Sequence, residues 1–402
     1  MRIAYLAPEF PGQTHTWMWR EKLHLEELGM DVRMVSTRTP LDRDRARHDW
    51  AADAKAATTY LWPMSPFEIL GAMLALVTIK LPALLACIAL CRRIQKDTGP
   101  SALDSLKLLP SAYRFSKWIR RTGIEHVHVA TPSRSLITTL LAKQINPRFT
   151  VDCTVNANFE WWGGGLTAKF DEIDALFVIV GWMDEQARRD FDAAITDKMH
   201  LARLGVDTRM WEQRTSPPPA PPFRVVTVGR LHPSKGHDDL IRAVASLRDQ
   251  GRDITLALLG EGPQRQELEQ LAKSLNLDDA IEFTGSVPEH EVRSRLEAAH
   301  VFVGASHAEP LGVVYIEAMA LGVPTIGTDA KGPKEIIVDG TSGLLVPPKD
   351  HAALADAIAR LADDPQLAER IGKQGRDRVI EQYDSRIGAK VVHDAIVALP
   401  RP

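Results

Sequence analysis

The stretch Thr215-Ser-Pro-Pro-Pro-Ala-Pro-Pro222 decides how the chain is divided. Proline lacks an N–H and holds φ fixed, so this run serves neither a helix interior nor a central strand. Its stiff, extended form suits a linker. A β/α series starts directly after it: strands over 224–228, 254–259, 281–284, 301–305 and 324–328 alternate with helices over 237–249, 263–275, 289–298 and 313–320. An equivalent series precedes it. Strands fall at 2–7, 32–36, 126–130, 149–155 and 176–180, with helices at 21–28, 116–122 (closed by Gly123) and 135–144. Two β/α series joined by a linker imply an α/β protein of two Rossmann-like, doubly wound domains facing each other across a cleft. The expected boundaries are 1–205, a linker at 206–222, 223–382, and a C-terminal helix over 383–402 that packs back toward the first domain.

The chain has 402 residues, enough for two such domains. Its net charge of −3 gives no case for nucleic-acid binding. Cys87, Cys91 and Cys153 match no zinc spacing, and an odd, small number fits a reducing compartment. The opening residues Met1–Phe10 read as a first strand rather than a secretory signal.

One segment does not fit the β/α alternation. Residues 69–79 and 81–91 are apolar, broken by Lys80 and Pro82 and followed by Arg92, Arg93 and Lys96. The whole is about the 20 residues a bilayer crossing needs. A crossing conflicts with topology, because the strands before and after it share one sheet and lie on one side. A helical hairpin over about 63–96 remains. It is either two core helices or a surface that dips into an anionic membrane interface.

The chemistry concentrates after 224. Val228-Gly-Arg-Leu-His-Pro-Ser-Lys-Gly236 leaves a strand and enters a helix, where open α/β sheets bind ligands. Gly229 allows close backbone approach. Arg230, as a planar fork, and Lys235, as a point charge, could hold a diphosphate. Gly260-Glu-Gly-Pro263 ends the next strand in the same manner, and Pro310-Leu-Gly312 precedes a helix whose free N–H groups attract anions.

Glu309 and Glu317 flank that helix start, eight positions apart. Were the span helical, about 1.5 Å per residue would separate them by roughly 12 Å. Glycosidase carboxylate pairs stand about 5–9.5 Å apart. Two hydroxyl-binding carboxylates on one extended ligand fit better than an acid and a base.

Together these motifs resemble the family 4 retaining glycosyltransferases of the GT-B fold. The carrying residues are Gly229-Arg230, Lys235-Gly236, Gly260-Glu-Gly-Pro263, Phe283-Thr-Gly285, Glu309, Glu317-Ala-Met-Ala320, Gly322, Pro324, Glu335, Gly340 and Gly343-Leu-Leu-Val346, with Gly205-Val-Asp207 ahead of the linker. The resemblance implies a nucleotide-diphosphate sugar as co-substrate, UDP ahead of GDP, and no cofactor or metal. It assigns Glu317 to the ribose hydroxyls and Glu309 to the transferred sugar. Arg230, Lys235 and the backbone N–H groups of Leu311, Gly312 and Val313 take the diphosphate. Gly229 and Gly260 give close approach, and Val287 meets the base. Absence of a clustered Asp/His site agrees with two cations replacing a metal.

The first domain departs from the pattern. Gln13, Thr14 and His15 occupy the first loop, with His15 where glutamate is usual. Asn156 stands where the family commonly carries histidine, and an amide cannot act as a base at pH 7. A front-face transfer, in which the leaving phosphate takes the acceptor proton, needs no such base. Gln13, Thr14, His15, His128, Asn156 and Trp161 are the candidates to face the acceptor or the transferred sugar, and for His15, His126 and His128 a structural or hydroxyl-binding role is favoured over base catalysis. Trp161 and Trp162 stack on an acceptor sugar, lie at a membrane interface, or are core aromatics before a flexible turn. The implied acceptor is a saccharide or lipid-linked glycan, as in glycolipid or surface polysaccharide synthesis. The implied location is cytoplasmic, peripheral on the inner face of the cell membrane. A nucleotide-sugar isomerase or hydrolase, or a non-catalytic binding protein, is the alternative on the same scaffold.

Overall fold

The computed structural model describes residues 1–41 and 46–401. It divides into two compact units, one of Met1–Arg203 with Arg386–Pro402, the other of Leu204–Ser385. The boundaries thus differ from those expected. The expected linker at 206–222 belongs with the second unit. Trp211 is buried, and its carbonyl accepts from Arg376 at 2.9 Å. The Arg214 N–H bonds to Leu321 O at 3.1 Å. His300 grips the proline run: its Nδ1 accepts the Arg224 N–H at 2.9 Å, so its Nε2 carries the proton and donates to Pro218 O at 3.0 Å.

The first unit holds β1 (Arg2–Glu9), β2 (Asp31–Arg38), β3 (Thr59–Tyr60), β4 (His126–Val129), β5 (Thr150–Val155), β6 (Ala175–Val178) and β7 (Met199–Leu201). All pair in parallel, in the order β3-β2-β1-β4-β5-β6-β7. Residues Ile3 to Ala7 are buried without alternation, as expected where helices cover both faces of a parallel sheet. Helix Leu109–Thr122 ends on Gly123 in the left-handed conformation. The last helix, Ser385–Ala398, places Val392 and Ile396 in this unit's core beside Met18 and Leu25.

The apolar segment forms helices Pro66–Thr78 and Leu81–Lys96. Ser65 caps the first reciprocally with Glu68, and Pro66 occupies its first turn. Their axes bend by 102° at the break, so the pair is a corner, not the expected hairpin. Among the described residues no single helix is long and apolar enough to cross a membrane. All three cysteines are buried and free, and burial pushes the Cys87 thiol up to about 12 and Cys91 to about 11.

The second unit holds β8 (Phe223–Val228), β9 (Ile254–Leu259), β10 (Ile281–Gly285), β11 (Val301–Gly304), β12 (Thr325–Thr328) and β13 (Leu344–Val346), all parallel, ordered β10-β9-β8-β11-β12-β13. The strand order reverses between β8 and β11. Beyond the carboxyl ends of those two strands an open sheet leaves a crevice for ligands.

Candidate functional site

A small pocket opens at that reversal point in the second unit. Val228, Lys235, His237, Ser306, Glu309 and Val314 are among its lining residues. Lys235 leaves a short 3-10 turn, Pro233–Lys235, which Gly236 closes at φ +60°. A Cβ at Gly236 would lie 2.1 Å from Ala305 O, so only glycine lets this turn press against the end of β11. The approach brings Lys235 Nζ into an ion pair with Glu309 Oε2. The pair is largely shielded, with the lysine side chain 21% exposed and the carboxylate 10%. Two chemistries thus meet at one spot: an ammonium suited to phosphate and a carboxylate suited to hydroxyls.

Helix Val313–Ala320 begins at Gly312, which is left-handed at φ +88°, and no side chain caps it. Its start shares the pocket with Lys235 and Glu309, and uncapped N–H groups at the positive end of a helix dipole suit an anion. Glu309 lies in the loop ahead of this helix and Glu317 in its second turn, both part-buried. Arg230 is exposed at the end of β8.

Gly260 is held against the neighbouring glycine loop. At φ +150°, a Cβ there would fall 1.9 Å from Gly229 O. The close approach is between the two glycine loops themselves, fixed by Gly229 N–H to Leu259 O and Gly260 N–H to Gly285 O, each 2.9 Å. Val287 is part-buried just after β10.

Three residues here escaped the sequence reading. His307 Nε2 meets Asp239 Oδ2 at 2.6 Å, and the His307 N–H donates to Ser234 O at 2.8 Å. His237 is buried, its Nε2 is 3.2 Å from Arg230 O, and burial pulls it down to about 4, so it is neutral at pH 7. The expected absence of an Asp/His cluster also needs correcting. Ligand atoms of Asp238, Asp239 and His307 lie within 4.8 Å of one another. The 68 positions between Asp239 and His307 hide the cluster from a linear reading.

The first unit places its expected residues differently. His128, a candidate to face the sugar, is instead fully buried inside β4 with His126, which fits the structural role also expected for the pair. His126 bridges Thr150 Oγ1 at 2.8 Å and Asp152 Oδ2 at 2.7 Å. His128 Nδ1 lies 2.7 Å from Asp152 Oδ1, and its Nε2 lies 3.4 Å from Glu21, which also accepts from the Tyr5 hydroxyl at 2.5 Å. Burial alone lowers the His128 value, but Asp152 and Glu21 more than reverse this and hold it at about 10. Gln13 is engaged within the unit, its Oε1 accepting from the Arg47 N–H at 2.9 Å. His15 stacks on Phe10 at 6.3 Å between centroids. Thr14 is exposed at the end of that loop, and Trp161 is 72% exposed. Asn156 follows β5 with its Oδ1 buried and unbonded.

The family model described as "Glycosyl transferases group 1" matches residues 210–378. Over 321 residues the chain is 32% identical to WcaL of Salmonella typhimurium, named as a colanic acid biosynthesis glycosyltransferase, across 70% of this chain and 78% of that protein. It is 30% identical over 230 residues to glycogen synthase of Mycobacterium tuberculosis, across 57% of this chain and 55% of that protein. It thus spans about half the length of the first curated relatives it matches. The solved structure of Anabaena HepE in complex with UDP superposes with a TM-score of 0.72 at 15% identity, covering 99% of this chain and 100% of that one. The chain belongs to the group 1 glycosyltransferases, and its two doubly wound units are those of the GT-B fold class.

Proposed function

We propose that the protein transfers a sugar from a nucleotide-diphosphate sugar, UDP-linked ahead of GDP-linked, to a glycan or lipid-linked acceptor in glycolipid or surface polysaccharide synthesis. The observation that carries this reading is the Lys235–Glu309 pair beside the uncapped start of helix Val313–Ala320, at the reversal point of the second sheet. In it, Lys235, Arg230 and the helix N–H groups hold the diphosphate and offset the charge that grows as it leaves. Glu309 accepts from the sugar hydroxyls and Glu317 from the ribose. HepE, solved with UDP and with UDP-glucose, supports the donor class. The name of WcaL supports a polysaccharide product.

Transfer retains the anomeric configuration. The acceptor oxygen bonds to the anomeric carbon on the face the diphosphate leaves, and the leaving phosphate oxygen takes the acceptor proton. This route asks for no enzymic base, which suits an amide at Asn156. It asks for no metal either, because two cationic side chains and a helix end face the phosphates. Buried free thiols fit the reducing cytoplasm.

The test is incubation of the purified chain with UDP- and GDP-sugars and a membrane lipid extract. Mass spectrometry should show one added hexose, nuclear magnetic resonance an unchanged anomeric configuration, and EDTA no effect. A new or free sugar formed from donor alone makes the protein an isomerase or hydrolase. Nucleotide binding without turnover on any acceptor makes it a binding protein.

A further inference from the structure

The corner of helices Pro66–Thr78 and Leu81–Lys96 leaves a band of large apolar side chains in water. On the first helix Phe67, Leu70, Leu74 and Val77 are exposed, Phe67 by 86%. Their 3-4-3 spacing places them on one helix face. Ala72 and Leu76, buried, lie on the opposite face. The band continues through Ile79, 75% exposed, to Leu81 and Leu85 on the second helix, whose other side buries Cys87, Leu90, Cys91 and Ile94. Both helices already have a packed core face, so the exposed face is a second surface rather than loose core. Bands of this kind on soluble chains mark interaction sites.

Charge indicates the occupant. Residues 66–96 hold one acid, Glu68, and four bases, Lys80, Arg92, Arg93 and Lys96, within a chain of net charge −3. Glu68 is engaged in the cap of its own helix, and Arg93 pairs with Glu172 at 2.6 Å. Lys80, Arg92 and Lys96 are exposed, Lys80 at the apex between Ile79 and Leu81. We infer that this corner docks on an anionic lipid surface, with Phe67, Leu70, Leu74, Val77, Ile79, Leu81 and Leu85 in the acyl boundary and Lys80, Arg92 and Lys96 at the phosphates. It lies on the membrane and does not cross it. The 102° bend prevents a straight span, and β3 before the corner and β4 after it belong to one sheet. A second copy is a poorer occupant, since it would bring two basic bands together. The inference goes beyond the proposed transfer reaction and does not depend on it.

The experiment is sedimentation of the full chain with sucrose-loaded phosphatidylcholine vesicles, with and without phosphatidylglycerol. The wild type should bind the anionic vesicles, and bind neutral ones about tenfold more weakly or less. The triple variant Phe67→Ser/Leu70→Ser/Leu74→Ser should lose about tenfold or more in partitioning, with melting temperature and nucleotide binding unchanged. Should the triple unfold, Leu70→Ser and Leu74→Ser singly carry the same comparison. Lys80→Glu/Lys96→Glu should weaken only the anionic binding, as should high salt. Failure of the wild type to sediment with anionic vesicles overturns the inference, as does undiminished binding by the serine variants. A concentration-dependent dimer in light scattering that the serine variants abolish, without vesicle binding, gives the surface to a second copy instead.

Discussion

The two sheets of this chain share the order in which strands reverse direction of growth, between β1 and β4 in one and between β8 and β11 in the other. They distribute charge differently. In the second unit the charges proposed to hold the donor, on Arg230, Lys235 and Glu309, sit in loops beyond the strand ends. In the first, His126, His128 and Asp152 sit within β4 and β5, in register with Thr150 and each other, and Glu21 and Tyr5 complete a buried network. Lys169 is buried there too, donating to Pro132 O at 3.0 Å and pulled by burial down to about 8. A charge inside a doubly covered parallel strand has no water to meet, so it must find a partner from the protein. A charge one loop further on is free to meet a ligand.

The largest expected effect tests the strand-end side of this contrast. Glu309→Ala should lower kcat by about 10²- to 10³-fold, the range for removal of one positioned transition-state contact. Nucleotide-diphosphate affinity, measured by calorimetry, should hold or rise, because Lys235 loses its competing carboxylate. Transfer that survives would mean the sugar lies elsewhere. Lys235→Met should weaken nucleoside diphosphate about ten- to hundredfold, as for a charged hydrogen bond, and nucleoside monophosphate far less. Equal losses for both nucleotides would move Lys235 off the diphosphate.

The in-strand side is tested by pH. His128 titrates near 10 in the folded chain against about 6.5 unfolded. Its contribution is therefore full below pH 6.5 and disappears as pH rises through 10. Between those limits stability should fall by up to about 1.4 kcal/mol per pH unit, with Asp152, Glu21, His126 and Tyr5 the facing groups. His128→Gln should flatten the melting temperature between pH 7 and 10 relative to wild type. An unchanged slope would show that His128 is neutral in the fold.

Much of the second unit was legible in the sequence, because local patterns fix it. Apolar runs ended by Gly229-Arg230 or Gly260-Glu-Gly262 signal both a strand and its ligand-facing end. Strands β3, β7 and β13, of two or three residues, carry no periodicity and were missed. His126 and His128, two apart, share one face of β4, and that face is covered by the protein, so both rings are buried. Gln13 was legible as a loop residue, but its bond to Arg47 joins positions 34 apart. The corner at Lys80 was legible as a break, and its angle was not, since packing against other helices sets it.

The smallest expected effect sharpens the line between holding a ligand and holding a loop. Asp239 stands in helix His237–Asp249 and His307 in the loop after β11. Their 2.6 Å contact and the His307 N–H bond to Ser234 O flank the Lys235–Glu309 pair. If the contact only fixes those two loops, Asp239→Asn should raise donor KM about threefold with kcat nearly unchanged, and a cycle with His307→Gln should give about 1 kcal/mol of coupling. Additive effects would remove the contact from the positioning of Lys235. The neighbouring Asp238 adds a sharper outcome. Were these three groups a cation site, manganese or magnesium would raise the melting temperature of the wild type and not of Asp239→Asn. No shift with either ion would leave the three groups as a contact between loops.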